Sequence, residues 1–408
     1  MKDYKQSTIS KNLLSKHNKS GILHTIWENK GISRIEIARI TNLSTATVSR
    51  LVDSLIKNDR LLEERETIAI SKGRPMKSLY FGNNERFIIG IDIGTTFIRG
   101  MLTNMNAEPI KEIEVVSESY KEPEYVLNKV IDVIERLSIT SMVKKDQIIG
   151  VGIAVAGTVN LDKGVVVYSP AFNWRNVQFQ EYIQSRIKLP LFFDNVNRTM
   201  ALGELTFGKG NDYDNMICIN VGYGIGAGII ISKKLFYGTD GMAGEFGHVP
   251  VSGDNLIVCP CGNRKCLTSY SSGDAIAQRA RLKLKEKTSD LLMKSCQNSP
   301  ENLTAKMVVD AARQKDPVAE EVLEQSIYHL GLSIAGLINT FNPQAVFIGG
   351  GIALGGDVFW EPLRKIINEN VFDHLSKDYK LLTVTFLERA AVYGAIGLVI
   401  KEILNMDI

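Results

Sequence analysis

No stretch of the 408 residues reaches the ~20 consecutive apolar positions needed to cross a bilayer, so a membrane-spanning helix is not expected. The opening residues, MKDYKQSTISKN, lack the apolar core of a secretory leader, and a cytoplasmic protein is expected. Cysteine is scarce, with five in all: Cys218 and Cys296 stand alone, while Cys259, Cys261 and Cys266 crowd together. In a reducing compartment such a crowd points to a metal site rather than a disulfide framework. Net charge is also nearly absent, at +3, but it is unevenly placed. Residues 1–83 carry 15 Lys+Arg against 8 Asp+Glu, whereas the remainder carries 33 against 37. A basic excess confined to one end suits a phosphate-binding module on a near-neutral body. A merely solvated basic face is the competing explanation. The length exceeds what one hydrophobic core spans, and two or three domains are expected.

The basic segment reads as three helices and a wing. Residues 10–30 place Leu13, Leu14, Ile22, Leu23 and Ile26 at helical spacing. Ser33 caps a second helix, Glu36 completes a capping box, and Ile35, Ile37, Ala38 and Ile40 are expected to form the packing face. After Thr41-Asn42-Leu43, Ser44 is the expected N-cap of a third helix running to about Asn58, with Val48, Leu51, Val52 and Leu55 inward. Ser44, Thr45, Ala46, Thr47, Ser49 and Arg50 then form its exposed start, the part that meets base edges in helix-turn-helix proteins. Leu61–Glu64 and Ile68–Ile70 read as strands. Ser71-Lys72-Gly73-Arg74-Pro75 reads as a wing tip whose Arg74 would enter a minor groove. A trihelical protein-interaction domain shares the apolar pattern but not the basic wing.

From Phe87 the chain turns apolar. A buried strand, a glycine turn at Gly94 and a returning strand from Phe97 to Leu102 make a hairpin of the kind that cradles phosphate in actin-like ATPases. Glycine clusters recur at Gly222–Gly228 and Gly349–Gly351, separated by helical segments such as 124–137, 317–340 and 358–371. His248, Cys259, Cys261 and Cys266 supply one imidazole and three thiolates, the makeup of a closed structural zinc site, and Gly262 permits the bend between them. With no ligand position left for water, the ion would staple the loop rather than catalyse.

The segment GEFGHVPV…CPCGNRKCL (residues 244–267), the glycine clusters and the helix-turn-helix with its Gly-Arg-Pro wing together resemble the ROK family of repressors and sugar kinases. The likeness is to its N-acetylglucosamine/xylose repressor (NagC/XylR-type) branch and covers nearly the whole chain. It implies an α/β fold class: an N-terminal winged helix-turn-helix plus a two-lobed actin-like (ribonuclease H-like) sugar-kinase fold with a sugar between the lobes. The implied divisions are 1–83 for the DNA reader, 84–200 for the first lobe, completed by a helix at about 391–408, and 201–390 for the second lobe with the zinc loop.

The resemblance also implies a catalytic carboxylate in a segment similar to E-N-D-A-N. Here Asp194-Asn195-Val196-Asn197-Arg198, with Ala201-Leu202-Gly203-Glu204 fixing the register, puts Val196 at the base position, and valine accepts no proton. The family's D-I-G-G-T reads Asp92-Ile93-Gly94-Thr95-Thr96, and its G-T-G reads Gly222-Tyr223-Gly224. Losing a base alone lowers a rate by ~10²–10⁴, so no catalytic residue and no enzyme activity are expected. The sugar-contacting positions that carry over are Gly157, Asn195, Glu245 and His248, whereas Ala171, Val196 and Thr268 replace the family's Asn, Asp and Glu. A polar pocket missing these partners discriminates against the usual ligand, so a modified or less hydroxylated one is expected, or none.

The expected function is transcriptional regulation: a repressor of carbohydrate catabolism or transport genes. It would bind a pseudo-palindromic double-stranded operator as a homodimer, or as a tetramer, and answer to a sugar or its phosphate. The competing expectations are a bifunctional sugar kinase with a DNA-binding arm and a regulator controlled by a partner protein.

Overall fold

The computed structural model describes residues 11–67, 76–82, 85–140, 143–254, 256–373 and 378–404. The expected strand Ile68–Ile70 and the wing Ser71–Pro75, with Arg74, lie outside the described residues. Among the described residues no helix is long and apolar enough to cross a membrane.

Three helices come first, α1 (Lys11–Glu28), α2 (Arg34–Thr41) and α3 (Thr45–Lys57), then the antiparallel pair β1 (Leu62–Thr67) and β2 (Met76–Phe81). The Glu36 N–H donates to Ser33 Oγ at 3.3 Å and the Ser33 N–H to the Glu36 carboxylate at 3.0 Å, completing the capping box. Asn42 turns the chain between α2 and α3 at φ 55°, a left-handed conformation that asparagine tolerates. Val48, Leu51, Val52 and Leu55 are buried along one face of α3. The packing face of α2 is narrower than expected: Ile37 and Ala38 are buried, but Ile35 is 75% exposed and Ile40 50%. At about 100° per residue, Ile35 falls on the far side of the helix from Ile37. On α1, Leu14 is likewise exposed, whereas Ile22, Leu23 and Ile26 are buried.

Two five-stranded sheets on one plan follow. In the first, β3 (Phe87–Ile93), β4 (Phe97–Asn104) and β5 (Pro109–Val116) form an antiparallel meander. After α4 (Pro123–Ser138), β6 (Ile148–Val155) lies parallel to β3. The short strands β7 (Thr158–Asn160), β8 (Val165–Ser169) and β9 (Trp174–Val177) make a separate sheet. Helix α5 (Phe179–Gln184) then leads to β10 (Leu191–Asn195), parallel to β6. Every residue of β3 is buried, as a central strand covered on both faces requires.

Helix α6 (Val196–Phe207) leaves directly from the end of β10. The second sheet has its own meander, β11 (Met216–Val221), β12 (Ile225–Ile231) and β13 (Lys234–Leu235). The cysteine-bearing loop comes next, then α7 (Thr268–Ser271), α8 (Gly273–Lys283), α9 (Asp290–Ser295), α10 (Ala305–Arg313) and α11 (Pro317–Phe341). Strand β14 (Ala345–Gly349), helix α12 (Asp357–Asn370) and strand β15 (Lys380–Thr383) complete the sheet, with both strands parallel to their neighbours. This is the two-lobed actin-like plan.

The last helix, α13 (Ala390–Ile403), returns beneath the first sheet and crosses α6. The crossing is backbone on backbone: a β-carbon at Gly394 would stand 1.8 Å from the Thr199 carbonyl oxygen. Helix α13 also completes the core of the N-terminal three-helix module. Ile22, Ile26, Val52 and Leu79 belong to one apolar cluster with Ile396, Val399 and Leu404. The Ser20 hydroxyl donates to the Leu404 carbonyl at 2.7 Å. Trp27 of α1 meets Phe207 at the end of α6 edge to face at 5.9 Å, and Phe207 meets Tyr393 of α13 at 6.2 Å.

Candidate functional site

A cavity of about 530 Å³ lies between the two sheets. Its floor is the junction of β10 and α6. Asn195 caps α6: its Oδ1 accepts from the N–H groups of Asn197 and Arg198 at 2.9 and 3.4 Å, and its Nδ2 donates to the Gly157 carbonyl at 2.8 Å. Gly157 has φ 119°, and a β-carbon there would stand 2.4 Å from the Tyr168 carbonyl oxygen, so only glycine fits. Val196 lines the cavity and packs on Ala154, Ala391 and Ala395. Asp194 is buried and engaged, accepting from Arg198 Nε at 2.8 Å and from the Tyr237 hydroxyl at 3.1 Å. Burial and the neighbouring Asp194 hold the Tyr237 phenol well above its ordinary value.

Asp92 also lines the cavity. Burial pushes its carboxyl up to about 7, and the charge of Arg99 offsets this only in part. Asp92, Ser169 and Ser269 belong to the cavity lining, while Asp92 Oδ1, Ser169 Oγ and Ser269 Oγ are themselves buried and have no hydrogen-bond partner among the described residues. Unpaired buried oxygens are costly in a folded chain, and an ordered water or ion is one way they are satisfied. Sequence reasoning missed Ser169 and Ser269, because nothing in the local pattern separates them from other serines.

Glu245 and His248 enter the cavity from the second lobe. His248 turns Nε2 toward the Glu245 carboxylate at 3.7 Å and Nδ1 toward Cys259 Sγ at 3.6 Å. Cys261 and Cys266 have their Sγ atoms 3.6 Å apart, and the donor atoms of His248, Cys259, Cys261 and Cys266 all lie within 4.8 Å of one another. Such separations suit the corners of a tetrahedron with metal–sulfur bonds of ~2.3 Å, so this donor set could hold one metal ion. Gly262 takes φ 95° at the bend. The loop is held from both sides. Tyr168 of the first lobe donates its hydroxyl to the Pro260 carbonyl at 3.0 Å. Asp254 grips Arg279 through two bonds of 2.8 and 2.9 Å, and that guanidinium holds the Asp254 carboxyl below its ordinary value. Thr268 lines the cavity, but its hydroxyl is donated inward to the Gly247 carbonyl at 2.9 Å. Ala171 lines the cavity as well, whereas Asn173 is exposed at a left-handed turn.

The two glycine loops are partly closed on themselves. The Gly94 N–H donates to the Phe97 carbonyl and the Gly222 N–H to the Gly224 carbonyl, each at 3.0 Å. Tyr223 lines the cavity and stays 54% exposed.

On α3, Ser44, Thr45, Ala46 and Arg50 are exposed, whereas Thr47 and Ser49 are half-buried. The Thr47 N–H caps onto Ser44 Oγ at 3.1 Å, and the Ser49 carbonyl accepts from Arg34 at 3.3 Å. Arg34 further pairs with Asp53 at 2.8 Å and Glu64 at 2.6 Å, tying α2, α3 and β1 together. That clamp was not foreseen, because its members are scattered along the sequence.

Residues 88–402 match the ROK family, and residues 16–61 match the winged helix-turn-helix DNA-binding family. The chain belongs to the ROK family. It is 34% identical over 393 residues to the xylose repressor of Caldicellulosiruptor bescii, covering 96% of this chain and 98% of that protein. It is 33% identical over 321 residues to the glucokinase of Thermotoga maritima, covering 77% of this chain and 97% of that enzyme. The crystal structure of a ROK family transcriptional regulator, a homologue of the E. coli MLC protein, matches with TM-score 0.81 at 27% identity, over 96% of this chain and 98% of that one.

Proposed function

We propose that this protein is a cytoplasmic DNA-binding repressor of sugar-metabolism genes whose ROK domain senses a sugar instead of phosphorylating it. One observation carries the reading: α6 starts in the cavity at Val196 and ends at Phe207 against Trp27 of the reader, so ligand cavity and reader are mechanically one piece. The similarity to a repressor and a regulator over nearly the whole chain supports the DNA-binding half. A pentose is the effector class that the xylose repressor's name suggests, and the glucokinase's name adds a hexose as the alternative.

In this reading Gly157, Asn195, Glu245 and the Nε2 edge of His248 contact the sugar. Residues 1–83 read the operator through Ser44, Thr45, Ala46, Thr47, Ser49 and Arg50, with Arg74 reaching from the wing. The two lobes divide at about residue 200, and α13 rejoins the first. A homo-oligomer, dimeric or tetrameric, presents paired readers to a pseudo-palindromic site. His248, Cys259, Cys261 and Cys266 hold a structural zinc ion; bound there, it staples the loop that carries Cys259 to Cys266, and Glu245 orients the His248 ring. Kinase chemistry is absent in this reading because Val196 accepts no proton and Asp194 is engaged with Arg198 and Tyr237.

Sugar binding shifts operator affinity only to the extent that it prefers one lobe arrangement. The test is fluorescence anisotropy of the full-length protein on DNA from upstream of its own gene, titrated with a panel of pentoses and hexoses. Sequence-specific binding weakened by one sugar is expected, with no ADP formed in a coupled assay. Absence of specific DNA binding, or sugar-dependent ADP formation above background, refutes the proposal.

A further inference from the structure

Residues 384–389 carry the chain from β15 to α13, and Leu387 and Glu388 among them line the cavity. The same two residues line a second cavity of about 580 Å³, together with Glu112, Glu114 and Val392. The segment is therefore a wall between two cavities. Leu387 takes φ 47°, a left-handed conformation in which its β-carbon crowds the following carbonyl. Beyond it the segment is lightly tied: Glu388 lies 3.8 Å from Arg99, and Arg389 pairs with Glu112 at 2.9 Å, in ion pairs that water reaches and weakens. Before it the segment is pinned. The buried carboxylate of Glu204 on α6 accepts from the Thr385 N–H at 2.8 Å and from the Thr385 hydroxyl. The same hydroxyl oxygen accepts from the Lys209 N–H at 3.1 Å, so the chain leaving α6 and the chain entering α13 are joined at one point.

From that pin a row of rings leads away. Phe386 stacks on Tyr393 of α13 at 3.9 Å with the planes 18° apart, Tyr393 meets Phe207, and Phe207 meets Trp27. Trp27 in turn meets Phe81 of β2 edge to face at 5.3 Å, so the row begins one residue from the cavity wall and ends inside the reader. Helix α13 is the fixed seat beside it. Besides the crossing at Gly394, a β-carbon at Gly152 of β6 would stand 1.8 Å from the Ala395 carbonyl oxygen, an approach that leaves the helix no room to slide. We propose that residues 384–389 are a strap that relays ligand binding to the reader. A ligand touching Leu387 and Glu388 turns the strap about the Glu204–Thr385 pin, lets Leu387 leave its left-handed backbone and shifts Trp27 through Phe386, Tyr393 and Phe207. Leu387 supplies the two-state element that such a relay needs, since its crowded conformation has an ordinary one as its alternative. The proposal rests on the sugar-sensing reading above and names the moving part within it.

The test is operator binding by the full-length protein, read by fluorescence anisotropy with D-xylose and D-glucose as probes, beside calorimetry for the affinity of each sugar. Phe386→Leu removes the stack on Tyr393, and Thr385→Val removes the hydroxyl shared by Glu204 and Lys209. Each variant is expected to bind sugar and operator separately within about threefold of the parent, yet to lose about fivefold or more of the sugar response. Thr385→Ser keeps the hydroxyl and should keep the response. A parent response that survives both Phe386→Leu and Thr385→Val overturns the strap and leaves sugar sensing standing. Outright loss of sugar or operator affinity in either variant also overturns it, since the segment would then be structural only. A parent that answers neither probe overturns both readings.

Discussion

Trp27 and Phe207 meet edge to face at 5.9 Å across the seam between the DNA reader and the two-lobed domain. Phe207 ends the helix whose first residue, Val196, lines the cavity, and a helix of three turns is too stiff to absorb a displacement along its length. An aromatic pair of this geometry contributes ~0.5–1.5 kcal/mol beyond its buried area, comparable to the low end of a typical coupling free energy of ~1–3 kcal/mol. Phe207→Ala should therefore leave operator affinity without sugar within about threefold of the parent and shrink the sugar response by about fivefold or more. Anisotropy titrations with and without effector read both quantities. An unchanged response would mean that the signal travels by another route.

The Cys–His cluster predicts a metal dependence. Cys266→Ser should lower zinc content from about one ion per chain to near zero and lower the melting temperature by roughly 5–15 °C. Elemental analysis and calorimetry of parent and variant measure it. Equal zinc content in the two would refute the assignment of Cys266 as a ligand.

Asp92 predicts a pH dependence of stability with a definite sign. Its carboxyl titrates at about 7 in the folded chain against an ordinary 3.8. Between those values the folded state holds a proton that the unfolded state has released, so stability falls as pH rises and levels off above the folded value. Asp92→Asn removes the titration. Its stability relative to the parent should rise across that window by roughly 2–4 kcal/mol. Urea melts at a series of pH values test this, and a difference that stays flat with pH would contradict it.

The reader offers a contrast between two arginines. Arg50 is exposed on α3, so Arg50→Ala should weaken operator binding by roughly 5- to 150-fold without moving the melting temperature. Arg34 pairs with Asp53 and Glu64, so Arg34→Met should lower the melting temperature and weaken DNA binding indirectly. Equal melting temperatures for the two variants would remove the clamp role of Arg34.

Much of this was legible because it rests on local rules. The Ser33–Glu36 capping box, the Ser44 cap and the apolar face of α3 are short-range features and stand where the sequence places them. The gathering of His248 with Cys259, Cys261 and Cys266 was equally readable, since a donor set that could hold a metal needs few residues in a fixed order. The exposure of Ile35 and Ile40 was not, because counting apolar residues ignores their angular phase on the helix. The network joining Asp194, Arg198, Tyr237 and Lys401 spans distant parts of the chain and has no local signature. The core shared by α1, α3 and α13 was also invisible, since only the folded chain brings its last helix under its first.

That common core constrains how such proteins can be recombined. Grafting the reader onto a foreign sensor by cutting near residue 83 would separate Ile22, Ile26 and Leu79 from a cluster they share with Ile396, Val399 and Leu404 and leave an apolar scar on each fragment. A working chimera must import the matching surface of the terminal helix along with the head. Specificity for DNA and responsiveness to ligand are therefore inherited together, and a change in one has to be negotiated with the other through a helix that lines the cavity only with its first turn, at Ala390 and Ala391.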